Sequence, residues 1–494
     1  MSVPPRTRDG LALLAAGLGV GVAADVLAHT VPERLDAALG LGVLAQAFGA
    51  LALAGVVPRP ERVAPLGLPL GLLGLALIWR DSPILFALNL LGIGLVAVLA
   101  TPWVRAAGWV GAGLTDYALG AGRLAGGAAG GAAVLVLTDI DWGALPAESR
   151  TRTVRGTAIG LVAAVPVAAV FGGLLMQADP VFDRLMTRTF AVDLYRLVSH
   201  LSMVLLWGWI AAGLLRALSN RDAGAERGAL RGGRLGLGEV GTVLAVVDLL
   251  FLAFVAVQFR YLFGGAALVQ GLTGMSYAEY ARRGFFELVT IAALSLPLLL
   301  LADWSLDQGD RRRVRRFRLL AGLMLLLLDV MLASALFRMR LYTAEYGLTE
   351  QRFYTTAFMG WLVLVFGWFA ATVLRGRRGR FTPGALAGGL LVLLALNLVN
   401  PDGLMARTNL ARAWEGRRFD AKYAARLSAD ALPTILPLLP ALPPADRCAV
   451  SAALRTRWSS ELSRSNRWNI SISRASRLLA AQPAVLGPNG DRCS

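Results

Sequence analysis

An arginine guanidinium presents a planar fork of N–H donors that fits a carboxylate or a phosphate. Arg338, Arg340 and Arg352, with Tyr342 among them, fall in the stretch RMRLYTAEYGLTEQRFY (338–354). Arg260 follows a long apolar run in QFRYLFGG (258–265). Arg407 lies in NPDGLMARTNLARA (400–413), just after Asn397, Asn400 and Asp402. Gathered at one place, these side chains would bind a phosphate, a carboxylate or a lipid head group, and they form the candidate substrate-binding set.

Two carboxylates suggest a second kind of chemistry. Asp248 (LAVVDLLFL) and Asp329 (LLLLDVMLA) each stand inside an apolar run. An ionised carboxyl in hydrocarbon costs several kcal/mol, so such a residue faces a partner or water, or keeps a proton. They are candidates for intramembrane coupling; the structural alternative is a protonated or hydrogen-bonded Asp that binds helices together. Arg340 follows Asp329 by eleven residues, about three helical turns, so the two point to nearly one side of a helix.

Other chemistries find little footing. His29 and His200 are the two histidines, and neither has the paired spacing of a zinc site. No Ser-His-Asp or Cys-His arrangement can be assembled, and neither a metal nor a cofactor is expected. Asp139-Ile-Asp141 has a metal-holding spacing but no strand–helix nucleotide domain around it. GAGRLAGGAAGG (120–131) lacks the Lys-Ser/Thr end of a phosphate loop, and small residues for close helix packing are the better reading. Asp25, His29, Glu33 and Asp36 gather near the first loop, where an enzyme acting on a lipid-linked substrate would want acidic groups.

The elements that must position these residues are membrane spans. The chain has 494 residues, 56% hydrophobic and 16% charged, and its charges cluster between continuous apolar runs of spanning length. That pattern predicts an all-α polytopic transmembrane helical bundle and excludes a β-barrel. About eleven spans are expected, near 11–29, 38–57, 65–80, 83–101, 158–176, 198–218, 239–263, 285–302, 317–337, 355–374 and 383–400. The N-terminal apolar run is longer than a signal-peptide core and reads as a retained first span. Alternate loops hold about two dozen arginines on one side and about eleven on the other, which places the N-terminus inside and the C-terminus out. The net charge of +17 then reflects basic loops on anionic lipid, not nucleic acid. Residues 1–400 form the transmembrane domain, 102–157 a cytoplasmic loop with an interfacial or re-entrant segment, and 401–494 an extracytoplasmic helical tail.

Several stretches carry a family resemblance when taken in order: ADPVF (178–182), QFRYLFGG, YAEYARRGFFELV (277–289), RMRLYTAEYGLTEQRFY, NPDGLMARTNLARA and LSADALP (427–433). From about 80 to 435 the chain resembles the bacterial multi-spanning membrane proteins grouped as domain of unknown function 4173, and the related 4153. The resemblance implies a bacterial cytoplasmic-membrane protein. It implies no reaction and no catalytic residue.

The residues favour a transporter or permease-like protein with an outer-facing site for an anionic solute or lipid head group, in contact with membrane lipids. The alternatives are a membrane enzyme acting on a lipid-linked substrate at the outer leaflet, and a non-enzymatic sensor or assembly protein that uses its tail. Cys448 and Cys493, the two cysteines, both fall in the tail and are compatible with a disulfide outside the cytoplasm. Thiol labelling of intact cells is expected to modify Cys448 and Cys493 only after reduction. Labelling without reductant would refute the bond, and protection by the membrane would refute the topology.

Overall fold

Chain buried in hydrocarbon must satisfy its backbone hydrogen bonds internally, and the apolar runs do so as helices. The computed structural model describes residues 4–30, 64–101, 104, 114–141, 194–219, 244–256, 285–305, 311–417, 419–464 and 469–482. Among these residues every regular element is a helix. Four stretches are long and apolar enough to cross a membrane: Pro5–Val26, Val314–Tyr346, Glu350–Thr372 and Arg378–Val399. Leu66–Trp79, Pro83–Leu99, Met203–Ser219, Leu244–Ala256 and Val289–Leu300 are shorter apolar helices. The expected spans at 38–57 and 158–176 lie outside the described residues.

Helix α1 (Pro5–Thr30) packs antiparallel on a helix of equal length further along the chain. Before that partner come α2 (Ala64–Trp79) and α3 (Pro83–Leu99), which form a hairpin, and α4 (Leu114–Gly126). The partner is α5 (Leu194–Ser219). Small residues set the α1–α5 distance: a Cβ on Gly17 would lie 2.6 Å from the Ala212 Cβ, and one on Gly21 2.2 Å from the Val204 carbonyl oxygen. Helix α4 continues as wider π-helical turns through Asp139. This rod lays Gly127 and Gly131 against Gly213 of α5, then reaches the first turns of α1, where Asp139 meets Arg6 at 3.1 Å and Arg216 at 2.5 Å. The glycines of the 120–131 stretch therefore admit a close helix crossing.

The largest apolar core joins four further helices. These are α6 (Leu244–Ala256), α7 (Phe285–Ser305), α8 (Arg311–Tyr346) and α9 (Glu350–Thr372). Met324, Leu328 and Met331 of α8 interlock with Leu362, Phe366 and Phe369 of α9. Helix α10 (Phe381–Val399) closes against α3, where a Cβ on Gly92 would lie 2.8 Å from a Leu393 methyl. Outward-facing leucines such as Leu68, Leu91, Leu326, Leu364, Leu391 and Leu398 are 61–70% exposed, as surface meant for lipid would be.

The bundle has two chemically different ends. Arg311, Arg312, Arg315, Arg316 and Arg318 at the start of α8 share one end with Arg375, Arg377, Arg378 and Arg380, which follow α9. There Arg378 pairs with Asp303 at 2.6 Å. The α2–α3 turn, the α8–α9 turn and the tail share the other end.

The tail has its own core. It consists of α11 (Pro401–Trp414), α12 (Ala421–Arg426), α13 (Leu432–Leu438), α14 (Pro444–Arg464) and α15 (Ile470–Ala480). Leu410, Leu436, Val450, Leu454, Trp458 and Leu479 pack together at its centre. Asn400 makes the turn from membrane helix to tail at φ +55°, a left-handed conformation that Asn tolerates better than most residues. Its side chain also accepts from the Gly403 N–H at 3.1 Å, capping α11.

Gly213 tests the close crossing, because a Cβ there would lie 2.1 Å from the Gly127 carbonyl oxygen. Gly213→Val is expected to cost about 3 kcal/mol by overpacking. Gly19→Ala, which meets open space, is expected to change stability by less than about 1 kcal/mol. Thermal unfolding of the detergent-solubilised protein compares the two.

Candidate functional site

The α2–α3 turn reads Arg80-Asp81-Ser82-Pro83. Pro83 opens α3, where its missing N–H is no loss. The Ser82 side chain does not cap the helix, and a carboxylate from the tail takes the position instead. Asp430 Oδ2 accepts from the backbone N–H groups of Asp81 at 2.8 Å and Ser82 at 3.1 Å. Its Oδ1 accepts from Arg80 Nη1 at 3.3 Å and Ser471 Oγ at 2.5 Å. A helix N-terminus with exposed N–H groups favours an anion, and here the anion belongs to the same chain.

Arg80 does more than neutralise Asp430. Its Nε donates to the Asn397 carbonyl at 2.8 Å, and Nη2 donates to the Leu398 carbonyl at 3.5 Å. Those carbonyls sit in the last turn of α10, where they have no intrahelical donor. The guanidinium also lies over the Trp79 ring, 4.1 Å from its centroid. One buried cation thus joins the α2–α3 turn, the end of α10 and the tail.

The exchange runs in both directions. Asp81 accepts from the tail, through the Ala429 N–H at 2.9 Å and Asn469 Nδ2 at 3.2 Å. Asn400 Nδ2 donates to the Asp430 carbonyl at 3.0 Å. Deeper in the bundle, Asn89 and Asn397 form a reciprocal amide pair at 3.0 and 2.8 Å. Ser82 Oγ and Tyr354 Oη lie 3.3 Å apart, which ties α9 to the same turn.

Asp402 is the least satisfied member. Its Oδ2 accepts from the Ser428 N–H at 3.2 Å and from the Ser428 hydroxyl, whereas its Oδ1 has no partner among the described residues and the residue is fully buried. Burial pushes its pKa up to about 6, and the charges of Asp430 and Glu350 add to the rise against the Ser428 hydrogen bonds.

Asn397, Asn400 and Asp402, expected from sequence, are therefore brought together. Arg352 stacks on Tyr342 at 4.0 Å and donates to the Gly347 carbonyl at 2.5 Å, so it braces its own helical hairpin. Arg338 is half-buried, while Arg340 and Arg407 are exposed. Arg260 and Cys493 lie outside the described residues; Cys448 is disulfide-bonded. Among the described residues, neither carboxylate oxygen of the buried Asp248 has a partner, and nor does Asp329 Oδ1. Asp25 is engaged by His200 at 2.8 Å.

Sequence reasoning missed Arg80, Asp81, Asp430, Asn469 and Ser471 as site residues. The signal was present in Arg-Asp-Ser-Pro at a hairpin turn and in LSADALP, but nothing in one sequence pairs positions 350 apart. It also missed Arg412, which donates to the Glu345 carbonyl at 2.6 Å and to the Ala344 carbonyl, closing the end of α8.

A protein-family profile described as Domain of unknown function (DUF4153) matches residues 67–438. The chain belongs to this family. The matched region of this DUF4153 protein runs from α2 through α13, and so contains the turn, α10 and Asp430 but stops before Asn469 and Ser471. The family shown is the second of the two related ones that its motifs resemble. No curated protein and no solved structure matches the chain.

Asp430→Ala would leave Arg80 buried without its carboxylate, a defect expected to cost about 3–5 kcal/mol. Asp430→Asn, which keeps the shape and some acceptor capacity, is expected to cost less. Thermal unfolding and limited proteolysis of the tail in the full-length DUF4153 protein measure both.

Proposed function

We propose that this DUF4153 protein is a permease-like protein of the bacterial cytoplasmic membrane that moves an anionic solute or lipid head group in step with protonation of Asp248 and Asp329. The observation that carries this reading is Asp248. It lies on the packed face of α6 with Leu244, Phe251 and Val255, 3% exposed, and neither of its oxygens has a partner among the described residues. A carboxyl in that state inside a membrane bundle holds a proton or receives a ligand. Arg340 and Arg407, exposed on α8 and α11, are the groups open to an anion.

The proposed topology has the arginine-rich end in the cytoplasm and the tail outside. Support comes from the distribution of arginine between the two ends and from the bonded state of Cys448, which suits an oxidising compartment. A second reading, a sensor or assembly protein working through its tail, is favoured by one fact: Asn400 at the end of α10 donates to the Asp430 carbonyl, and Asp430 docks the tail on the α2–α3 turn.

Reconstitution on a solid-supported membrane distinguishes the two. Inorganic phosphate, glycerol phosphate and short dicarboxylates form the test panel, applied in turn across pH steps. At least one anion is expected to evoke pH-dependent charge movement, reduced at least tenfold in Asp248→Asn and lowered in Asp329→Asn. Silence across the panel, or full currents in both variants, would overturn the transport reading.

A further inference from the structure

The joint between bundle and tail buries Asp81 and Asp430, with the Arg80 guanidinium on Asp430, and Asp402 lies next to it on the Ser428 hydroxyl that Asp430 shares. Each of these carboxylates is at most 9% exposed. With all three ionised, the cluster would carry an excess of negative charge in a site poor in water, which is costly. The donors are unevenly distributed. Asp430 has two backbone N–H groups, Arg80 and Ser471. Asp81 accepts from the Ala429 N–H and from Asn469 Nδ2. Among the described residues, Asp402 accepts from Ser428 alone, through one oxygen, and the Ser428 hydroxyl also lies 3.3 Å from Asp430 Oδ2. That hydroxyl has a single proton and two carboxylates to serve.

We infer that Asp402 is a proton-binding site that latches the tail to the membrane bundle: protonated, it lets the joint close, and ionised, it loosens the tail. The groups facing it come from every element around it. They are Ser428 and Asp430 of the tail, Glu350 and Tyr354 of α9, and Tyr423 of α12. All of these are acidic or neutral, and Arg80 is paired with Asp430, so none of these groups supplies Asp402 with a compensating cation. Its raised pKa agrees with the geometry.

The sign follows from linkage. A carboxyl that binds its proton more tightly when docked than when free favours docking at acidic pH, and that advantage is lost as pH rises from the ordinary carboxylate range through about 6. The tail is therefore held in acid and released towards neutral and alkaline pH. The latch does not depend on the transport reading, since it concerns the joint whatever the bundle carries.

The full-length protein in lipid nanodiscs, spin-labelled through Leu75→Cys on α2 and Lys422→Cys on α12, reports the docking distance by pulsed dipolar spectroscopy. A narrow distance distribution is expected at pH 5, broadening with a midpoint near 6. Asp402→Asn should stay narrow to pH 8. Ser428→Ala removes the donor that favours ionised Asp402, and should move the midpoint upward in pH. The proposal is overturned by a wild-type distribution that does not change between pH 5 and 8, or by an Asp402→Asn variant that keeps the wild-type transition. If Asp402→Asn does not fold, an unmoved midpoint in Ser428→Ala is the overturning result.

Discussion

Everything at the tail end of this molecule depends on where the Asp430 carboxylate sits. It fills the position ahead of α3 that a capping side chain or a bound anion would otherwise hold, and Arg80 binds it from the side. Remove it and two backbone donors lose the oxygen they share, while a buried guanidinium loses its carboxylate. Arg80 also holds the last carbonyls of α10, so the same loss would reach the membrane helix that leads into the tail. Because a buried ion pair barely repays its own desolvation, the interaction is better understood as specifying one docking geometry than as a store of stability.

Around that contact the chain uses its polar residues economically. Side-chain amides replace missing backbone partners. Asn89 and Asn397 satisfy each other, Asn400 ends one helix and caps the next, and Asn409 pairs with both backbone groups of Leu348 at 2.8 Å. Arg412 and Arg457 do the same for carbonyls at the ends of α8 and α12. A high arginine content at this end need not signal an anion site, since many of these side chains close helix ends.

The all-helical character was legible because spanning apolar runs have one structural outcome, and so was the packing role of the glycines near 120–131, whose size is their whole message. The approximate ends of α8, α9 and α10 could be read from the change in polarity. The joint could not. Asn397, Asn400 and Asp402 announce themselves as polar groups at a membrane exit, but their partners lie hundreds of residues away in the α2–α3 turn or across the fold of the tail. Arg352 was misleading for a related reason: next to Tyr342 and Gly347 in space, it has local work that its spacing along the chain does not reveal. Positional periodicity reports which face a residue occupies, and it is silent about what waits opposite.

The long separation between Arg80 and Asp430 has a consequence for biogenesis. Translation delivers the turn first, and the carboxylate that binds its cation and its N–H groups follows 350 residues later. Only a chain whose intervening helices have threaded correctly can bring residue 430 back to the same face of the bilayer. A product truncated before Asp430 would therefore lack the carboxylate that binds the α2–α3 turn, and would leave Arg80 with the α10 carbonyls alone.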